Sequence, residues 1–390
     1  LYPNPTVGYV NSVATARGDS LTNGLLVQQT IVTANKLEKA RNAEALGIKD
    51  GNLQLSAQQA RVINDVRLRY HDTIAAKDLL SLAEEQLEIS KQSLSIAQRL
   101  YGAQQVPETD VLRAEVQLNA SELAIQNAKL TLKAAWNQLV ILIGKPDLEL
   151  TNLEPFAEDL PEFGDLEQEW SRLITSSPQL RSAETQKQIA HAEWVTAQAN
   201  RVPDVTVQMV TQYDSIGNFT TFNSVVALPV PLNNKNQGNI YTAAQEVHRT
   251  HHELERVQLV LRDQLVSSLR DYEKARNRVE MYRTEILPRL KRNLELIRKG
   301  YDRQELSFLD VLNAQEAFSQ SSIQYVNAKH EAWQLAVQLD GLQLTGGLNP
   351  AAIGTAIQET AAGSRQRAIQ TDLQRQQSGP LKNFAPAALD

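Results

Sequence analysis

The chain has no cysteine, few aromatics and no long hydrophobic run, and each shortage removes a class of protein. Without cysteine there is neither a disulfide framework nor a thiolate metal site, which fits an oxidising compartment without requiring one. No uninterrupted apolar stretch approaches the roughly 18 to 20 residues that a membrane-spanning helix needs, so a helical membrane protein is excluded. A basic excess is missing too: 39 Lys and Arg are interleaved with 45 Asp and Glu, net charge -6, leaving no cationic stripe for a phosphate backbone. Nucleic acid is therefore not an expected partner. There is no glycine-rich phosphate loop, and no Ser or paired-carboxylate setting that stands apart from charged helix faces. The chain is not read as an enzyme, and no cofactor is expected.

What is present is 42% hydrophobic and 22% charged residues with only 5% aromatics, the make-up of long helices with narrow apolar seams. Its organising feature is a duplication. Residues 101–140, beginning YGAQQVPETDVLRAE, align without a gap to residues 301–340, beginning YDRQELSFLDVLNAQ, with 12 of 40 positions identical. Among them are Tyr101/Tyr301, Gln104/Gln304, Asp110/Asp310, Leu112/Leu312 and Ala114/Ala314. The register continues upstream through Glu85/Glu285, Lys91/Lys291 and Leu94/Leu294. A repeat this long is a duplicated structural unit, not a solenoid array.

Each unit reads as strand, strand, long helix, break, second helix. Residues 5–16 and 21–32 alternate as two strands around a Gly18-Asp19-Ser20 turn, with Val7, Tyr9 and Val13 on one parity. A helical pattern covers about 35–100, in which Gly47 and Gly51 each cost roughly 1 kcal/mol against Ala. A second helix covers about 110–143. The acidic, proline-containing stretch 145–165 should be an irregular linker. The second unit repeats the order: helix 166–201, strands 203–213 and 220–231, helix 239–300 bent at Pro288, and helix 308–343. At 1.5 Å per residue the longest helix would reach about 90 Å, too long for a compact domain, so it should run beside others in a bundle or tube. The domain reading is thus a first repeat 1–144, a linker 145–165, a second repeat 166–345 and a polar tail 346–390, expected to be loosely attached. The first repeat has no counterpart of helix 166–201, so a helix and any targeting peptide are expected to precede Leu1.

The strings LYPNPTVGY and ALPVPLNNKNQGNIYTAAQEV, with the two hairpin tips RLYGAQQVPETDVLRAEVQL and RKGYDRQELSFLDVLNAQEAF, resemble the TolC-like outer-membrane efflux proteins. ALPVPL followed by NKNQGN is most similar to the CzcC-like branch that serves heavy-metal pumps. The resemblance covers about residues 1–345. It implies a mainly α fold with a small β part, and a homotrimer that shares a 12-stranded transmembrane β-barrel above an α-helical barrel. It also implies a passive exit duct in the outer membrane with a periplasmic extension. The implied partners are a periplasmic adaptor protein, an inner-membrane RND transporter and outer-membrane lipid, with metal cations a possible cargo. Physics asks for something similar, because four strands alone leave open edges that lipid cannot satisfy. The rival readings are a soluble coiled-coil scaffold, and a periplasmic adaptor, against which the duplication argues.

For the hairpin tips the resemblance implies a periplasmic gate that meets the adaptor. Gly102, Gln104, Gly300, Tyr301, Asp302 and Glu305 are the candidates, with Asp110 and Asp310, whose plain reading is capping of the helices they begin. Rings of Asp302 or Glu305 around a trimer axis would favour cations. His248, His251 and His252 share a helix region and are weak metal candidates, but the sequence has no His-Glu-x-x-His motif, and a solvated face is the plainer reading. His71, His191 and His330 read as isolated packing or surface residues, and Trp136, Trp170, Trp194 and Trp333 as helix-packing anchors.

Overall fold

A computed structural model describes residues 2–14, 20–150, 153–155 and 159–347. The expected turn at Gly18-Asp19 and the tail from residue 348 lie outside the described residues. In order the elements are strands β1 (Thr6–Ala14) and β2 (Ser20–Ile31) and helices α1 (Lys36–Gly102), α2 (Glu108–Ile143), α3 (Leu166–Ser176) and α4 (Pro178–Ala199). Strands β3 (Val205–Asp214) and β4 (Phe219–Ala227) and helices α5 (Gln237–Met281), α6 (Leu287–Asp302) and α7 (Phe308–Asp340) follow. Among the described residues no helix is long and apolar enough to cross a membrane.

The repeat is a unit of sequence and not of space. One compact unit comprises residues 1–57 and 162–270, the other 58–161 and 271–390, so each draws on both copies of the repeat.

The first unit holds a single antiparallel sheet in the order β1-β2-β3-β4. Its register aligns Tyr9 with Leu25, Leu25 with Thr211 and Thr211 with Phe222. With a period of two, this places Val7, Tyr9, Val13, Leu25, Val27, Met209, Tyr213, Phe222 and Val226 on one face. The opposite face is mainly polar, with Ser12, Thr22, Gln28, Gln208, Gln212, Thr221 and Asn223 beside Val10, Leu26, Val210 and Val225. Gly24 sits on this polar face where the strands close up, and a Cβ there would lie 2.2 Å from the Thr211 carbonyl oxygen. At the base of β3, Asp204 accepts hydrogen bonds from the Thr33 amide (3.0 Å) and Lys36 Nζ (2.6 Å). Burial opposes its ionisation, but the bonds from Lys36 and Thr33 outweigh that and hold its carboxyl below the usual range.

The helices of this unit pack through Leu173, Leu180, Val257 and Leu261. The helix expected over 166–201 is two helices, because Pro178 cannot donate a helical hydrogen bond and pushes Ser177 to extended backbone (ψ 116°). The Ser177 hydroxyl then accepts from the Leu180 amide at 3.4 Å, opening α4. Buried Asp50 of α1 is satisfied by Ser182 Oγ (2.6 Å), Gln186 Nε2 (2.5 Å) and Gln54 Nε2 (2.7 Å). The last strand stops at Ala227, short of the expected 231, since Pro229 and Pro231 remove the donors a ladder needs.

The second unit holds α2, α6 and α7 with the later parts of α1 and α5. Its helices bury Ile74, Trp136, Leu139 and Val140 in one cluster and Ala275, Val279, Ala328 and Ala332 in another. The described residues of the 145–165 stretch are irregular yet fastened: Trp136 Nε1 donates to the Leu148 carbonyl at 2.9 Å, and Leu153 and Leu160 join these clusters. The irregularity expected at Pro288 appears just upstream as a π-helical turn, Tyr282–Ile286, where the Leu287 amide bonds to the Tyr282 carbonyl. Widening the turn there accommodates a residue that has no N–H and whose ring would crowd the preceding carbonyls.

Candidate functional site

The hairpin tips close in the same way. Each first helix ends with a glutamine in the left-handed region, Gln104 at φ 58° and Gln304 at φ 62°. The Gln104 amide bonds to the Tyr101 carbonyl (2.8 Å) and the Gln105 amide to that of Leu100 (2.9 Å). The Gln304 and Glu305 amides repeat this on Tyr301 (2.9 Å) and Gly300 (2.8 Å). This is the paired-bond helix ending that normally selects glycine, because a Cβ there is strained. The glutamine identity seen across the repeat marks these positions.

The two tips then diverge at the start of the second helix. The helices begin at Glu108 and Phe308, so Asp110 and Asp310 occupy third positions and the capping residues are Pro107 and Ser307. This corrects the expectation that the aspartates themselves open the helices. In the second tip, Asp310 accepts from the Ser307 amide (2.9 Å) and hydroxyl (2.7 Å), and Ser307 Oγ accepts from the Asp310 amide (3.3 Å). The bonds from Ser307 hold the Asp310 carboxyl below the usual range. Pro107 has no N–H to offer, so the first tip lacks this reciprocal box. Asp110 is buried there and pairs loosely with Arg113 at 3.8 Å.

Packing breaks the symmetry further. Ala97, Leu100 and Ala114 of the first hairpin form one cluster with Tyr301, Phe308 and Val311 of the second. Tyr301 is 3% exposed and its ring lies 5.4 Å from that of Phe308, whereas Tyr101 is 45% exposed. Among the described residues the buried Tyr301 hydroxyl has no hydrogen-bond partner. Burial and, secondly, the Asp110 charge push it up to about 12. Gly300 gives Leu306 room, since a Cβ would stand 2.6 Å from Leu306 Cδ1. Gly102, which the repeat aligns with Asp302, has open space where a Cβ would stand and is exposed.

Polar groups join the hairpins around that cluster. Asp302 accepts a hydrogen bond from Arg99, a buried Gln315 donates to Ser93 Oγ at 2.6 Å, and Arg298 donates to Gln92 Oε1 at 3.0 Å. Burial pushes the Arg298 guanidinium below its ordinary value. Of the two carboxylates singled out for a ring, Asp302 is thus already opposed by a cation of its own chain. Glu305 is exposed. Arg99, Ser93 and Gln315 were not legible as site residues, because none belongs to the repeat's identical positions.

The histidines sort differently. His251 and His252 of α5 both turn toward Glu255, at 3.6 and 3.0 Å, while His248 is exposed. Among the described residues no group of three or more His, Asp or Glu is placed to hold a metal ion. His71 and His330 are not isolated. His330 Nε2 lies 2.8 Å from Asp72 Oδ1, and His71 stacks on Trp333 with ring centroids 5.2 Å apart. Burial, with His330 second, pushes His71 down to about 4. Sequence reasoning missed this cluster because its members lie on α1 and α7, more than 250 residues apart.

Against known proteins, residues 170–347 match the family described as outer membrane efflux protein. The chain is 22% identical over 288 residues to the cobalt-zinc-cadmium resistance protein CzcC of Cupriavidus metallidurans, covering 73% of this chain and 69% of that one. Its fold is that of the solved structure of CusC, with a TM-score of 0.72 at 16% identity over 88% of this chain and 83% of that one. It also matches the Neisseria gonorrhoeae MtrE outer membrane channel in its open state, with a TM-score of 0.70 at 19% identity over 90% and 82%. The resemblance drawn from the doubled tips and the strand strings is borne out.

Proposed function

We propose that this chain, a relative of the outer membrane efflux proteins, is one subunit of an outer-membrane exit duct. The observation that carries this reading is the sheet. Its apolar face stands open, with Tyr9 67% and Phe222 79% exposed, while the other face is mainly polar. Leaving such side chains in water forgoes roughly 1.5–3 kcal/mol each, so the face calls for lipid or a protein cover. Alternation of apolar and polar faces in strands of about ten residues is the pattern of an outer-membrane barrel wall. Among the described residues the edge strands β1 and β4 each have one unpaired side, which in lipid must be closed by further strands. Three copies would supply a 12-stranded barrel around a polar lumen.

The rest follows from chemistry and kinship. The chain would conduct passively, with selectivity set by lumen diameter and charge. The hairpin tips would form the periplasmic gate and meet an adaptor protein, coupling the duct to an inner-membrane RND transporter that selects cargo. The CzcC likeness favours divalent metal cations as that cargo. The first test is the mass and conductance of the detergent-solubilised particle from outer membranes. A protein mass near three chains of 43.4 kDa, with discrete channel openings in planar bilayers, supports the duct. A water-soluble monomer would replace it with the scaffold reading.

A further inference from the structure

Midway along its length α1 is joined to α7 by a polar cluster that the tips do not use. Asp72 Oδ1 of α1 accepts from His330 Nε2 at 2.8 Å and from Gln334 Nε2 at 2.9 Å, and Asp72 Oδ2 accepts from Arg69 at 3.0 Å. His71, the next residue on α1, lies on Trp333 of α7 with ring planes 19° apart and centroids separated by 5.2 Å. Trp333 in turn packs against the cluster that holds Trp136 of α2 and Leu153 of the 145–165 connection. That connection is tied to the same stretch of α1. Its Glu154 carbonyl accepts from the Tyr70 hydroxyl at 3.2 Å, and its Leu153 carbonyl from Lys77 Nζ at 3.2 Å. Residues 69–77 of α1 thus gather α2, α7 and the connection at one level.

Two imidazoles around one carboxylate make such a joint responsive to protons. The charges acting on His71 are His330 of α7 and Asp72 and Arg67 of α1. Helix α2 brings Gln138, which accepts from Arg69 at 3.3 Å, and the connection brings backbone carbonyls. Glu331 of α7 is taken up by Arg278 of α5 at 3.0 Å. A proton on His71 would place a half-buried charge beside His330 and Arg67, with Asp72 alone opposing them. Burial first, and His330 second, keep that proton off and push His71 down to about 4. When α1 leaves α7, His71 returns to water and to its ordinary 6.5, so acid favours the separated state. The two values give roughly a twentyfold shift toward it between pH 7 and pH 5. Asp72, which burial would raise but the bonds from His330 and Gln334 hold below its ordinary value, adds to the release at lower pH. Asp78, near Lys329 and Lys77 and pushed up by burial, works in the opposite sense.

We propose that His71, Asp72 and His330 form an acid-released clasp, which at neutral pH holds α1 and the 145–165 connection to α7 and in acid lets α1 move away. The clasp stands on the contacts within one chain. Its consequence rests on the duct reading: a duct that reaches into the periplasm meets the acidity of the medium, and freeing the first hairpin from the second lets it open more readily.

The native absence of cysteine makes the clasp measurable. Ser81 of α1 and Asn327 of α7 are exposed, so the full chain carrying Ser81→Cys and Asn327→Cys is spin-labelled at both, diluted with unlabelled chains, and the distance between labels is read by dipolar spectroscopy. The expected result is one distance at pH 7.5 and a second, longer one at pH 5, the ratio of longer to shorter rising roughly twentyfold while helicity is unchanged. His71→Gln, which cannot take the proton, should remove the acid response. Asp72→Asn, which removes the charge that receives His330, should give the longer distance already at pH 7.5. An unchanged distance down to pH 4.5, an acid response kept in His71→Gln, or one seen only with loss of helicity overturns the proposal. In planar bilayers, acid-raised opening that His71→Gln abolishes supports the consequence for the duct. A clasp that releases while no variant forms channels leaves the clasp standing and removes the duct reading instead.

Discussion

Arg99 on the first hairpin and Asp302 on the second, 203 residues apart in sequence, are hydrogen-bonded as an ion pair across the tips. Both side chains are about half exposed or more, so the pair contributes little to stability, on the order of 0.2–1 kcal/mol. Its consequence is for charge. An Asp302 carboxylate neutralised by Arg99 adds less to a cation-selective field than Glu305. Glu305→Ala should therefore shift the reversal potential in asymmetric salt more than Asp302→Ala, and Arg99→Ala should increase cation preference. Equal shifts from the two carboxylate variants would show that the ion pair does not mask Asp302.

Gln104 and Gln304 hold backbone conformations that cost a side-chain-bearing residue roughly 1–2 kcal/mol. Replacing each with Gly should stabilise the fold by about 1 kcal/mol per site after allowing for the looser unfolded chain, read as a raised thermal midpoint. Replacement with Ala should be neutral. If Gly lowers the midpoint, the glutamine side chains make contacts that outweigh the strain.

The Tyr301 ring fills the space between the hairpins, but its hydroxyl is buried unbonded. Tyr301→Phe should be neutral or stabilising by about 1 kcal/mol, whereas Tyr301→Ala should cost about 3–5 kcal/mol. Denaturant titration of the two variants separates the hydroxyl from the ring. A phenylalanine variant as damaged as the alanine one would mean the hydroxyl has a partner.

His71 adds a pH dependence whose sign is fixed. Its folded value, about 4, lies below the ordinary 6.5, so the unfolded chain binds the extra proton between those limits. The stability this group contributes is present above about 6.5 and is lost as pH falls toward 4. Asp72, which accepts from His330 and Gln334 and is held below its ordinary value despite burial, adds a further loss at lower pH. His71→Gln should flatten the limb between pH 6.5 and 4 in a thermal-midpoint titration. An unchanged limb would assign the loss to other groups.

The carboxylate of Asp65 accepts from the Gly346 and Gly347 amides, and Asn64 Nδ2 donates to the carbonyls of Gly341 and Leu344. This strap fixes the end of the described chain to α1. Truncation after Asn349 keeps every one of these groups and should leave the particle mass unchanged. Asp65→Ala should loosen the strap and speed proteolysis after Leu344. Disassembly on truncation would show that the tail takes part in the oligomer.

Much of the molecule was legible because it depends on neighbours in sequence. Helical periodicity, strand parity and the breaks at Gly102 and Asp302 reflect interactions within about five residues, and the repeat wrote each of them twice. Strand parity also separated the apolar face of Val7, Tyr9 and Val13 before any pairing was known. The break at Ser177 was equally local, in Pro178, and was overlooked because the apolar pattern runs through it.

What tertiary structure alone decided is where the two copies of the repeat stop being equal. Tyr101 and Tyr301 share a local sequence position, yet one is exposed and the other closes the tip cluster. The ion pair of Arg99 with Asp302, and the meeting of His71 and His330 across α1 and α7, belong to the same category. Burial and pairing are set by which distant helix covers a face, and no periodicity encodes that. Local propensity is short-ranged and repeats with the sequence, whereas the environment of a side chain depends on the partner supplied across the fold.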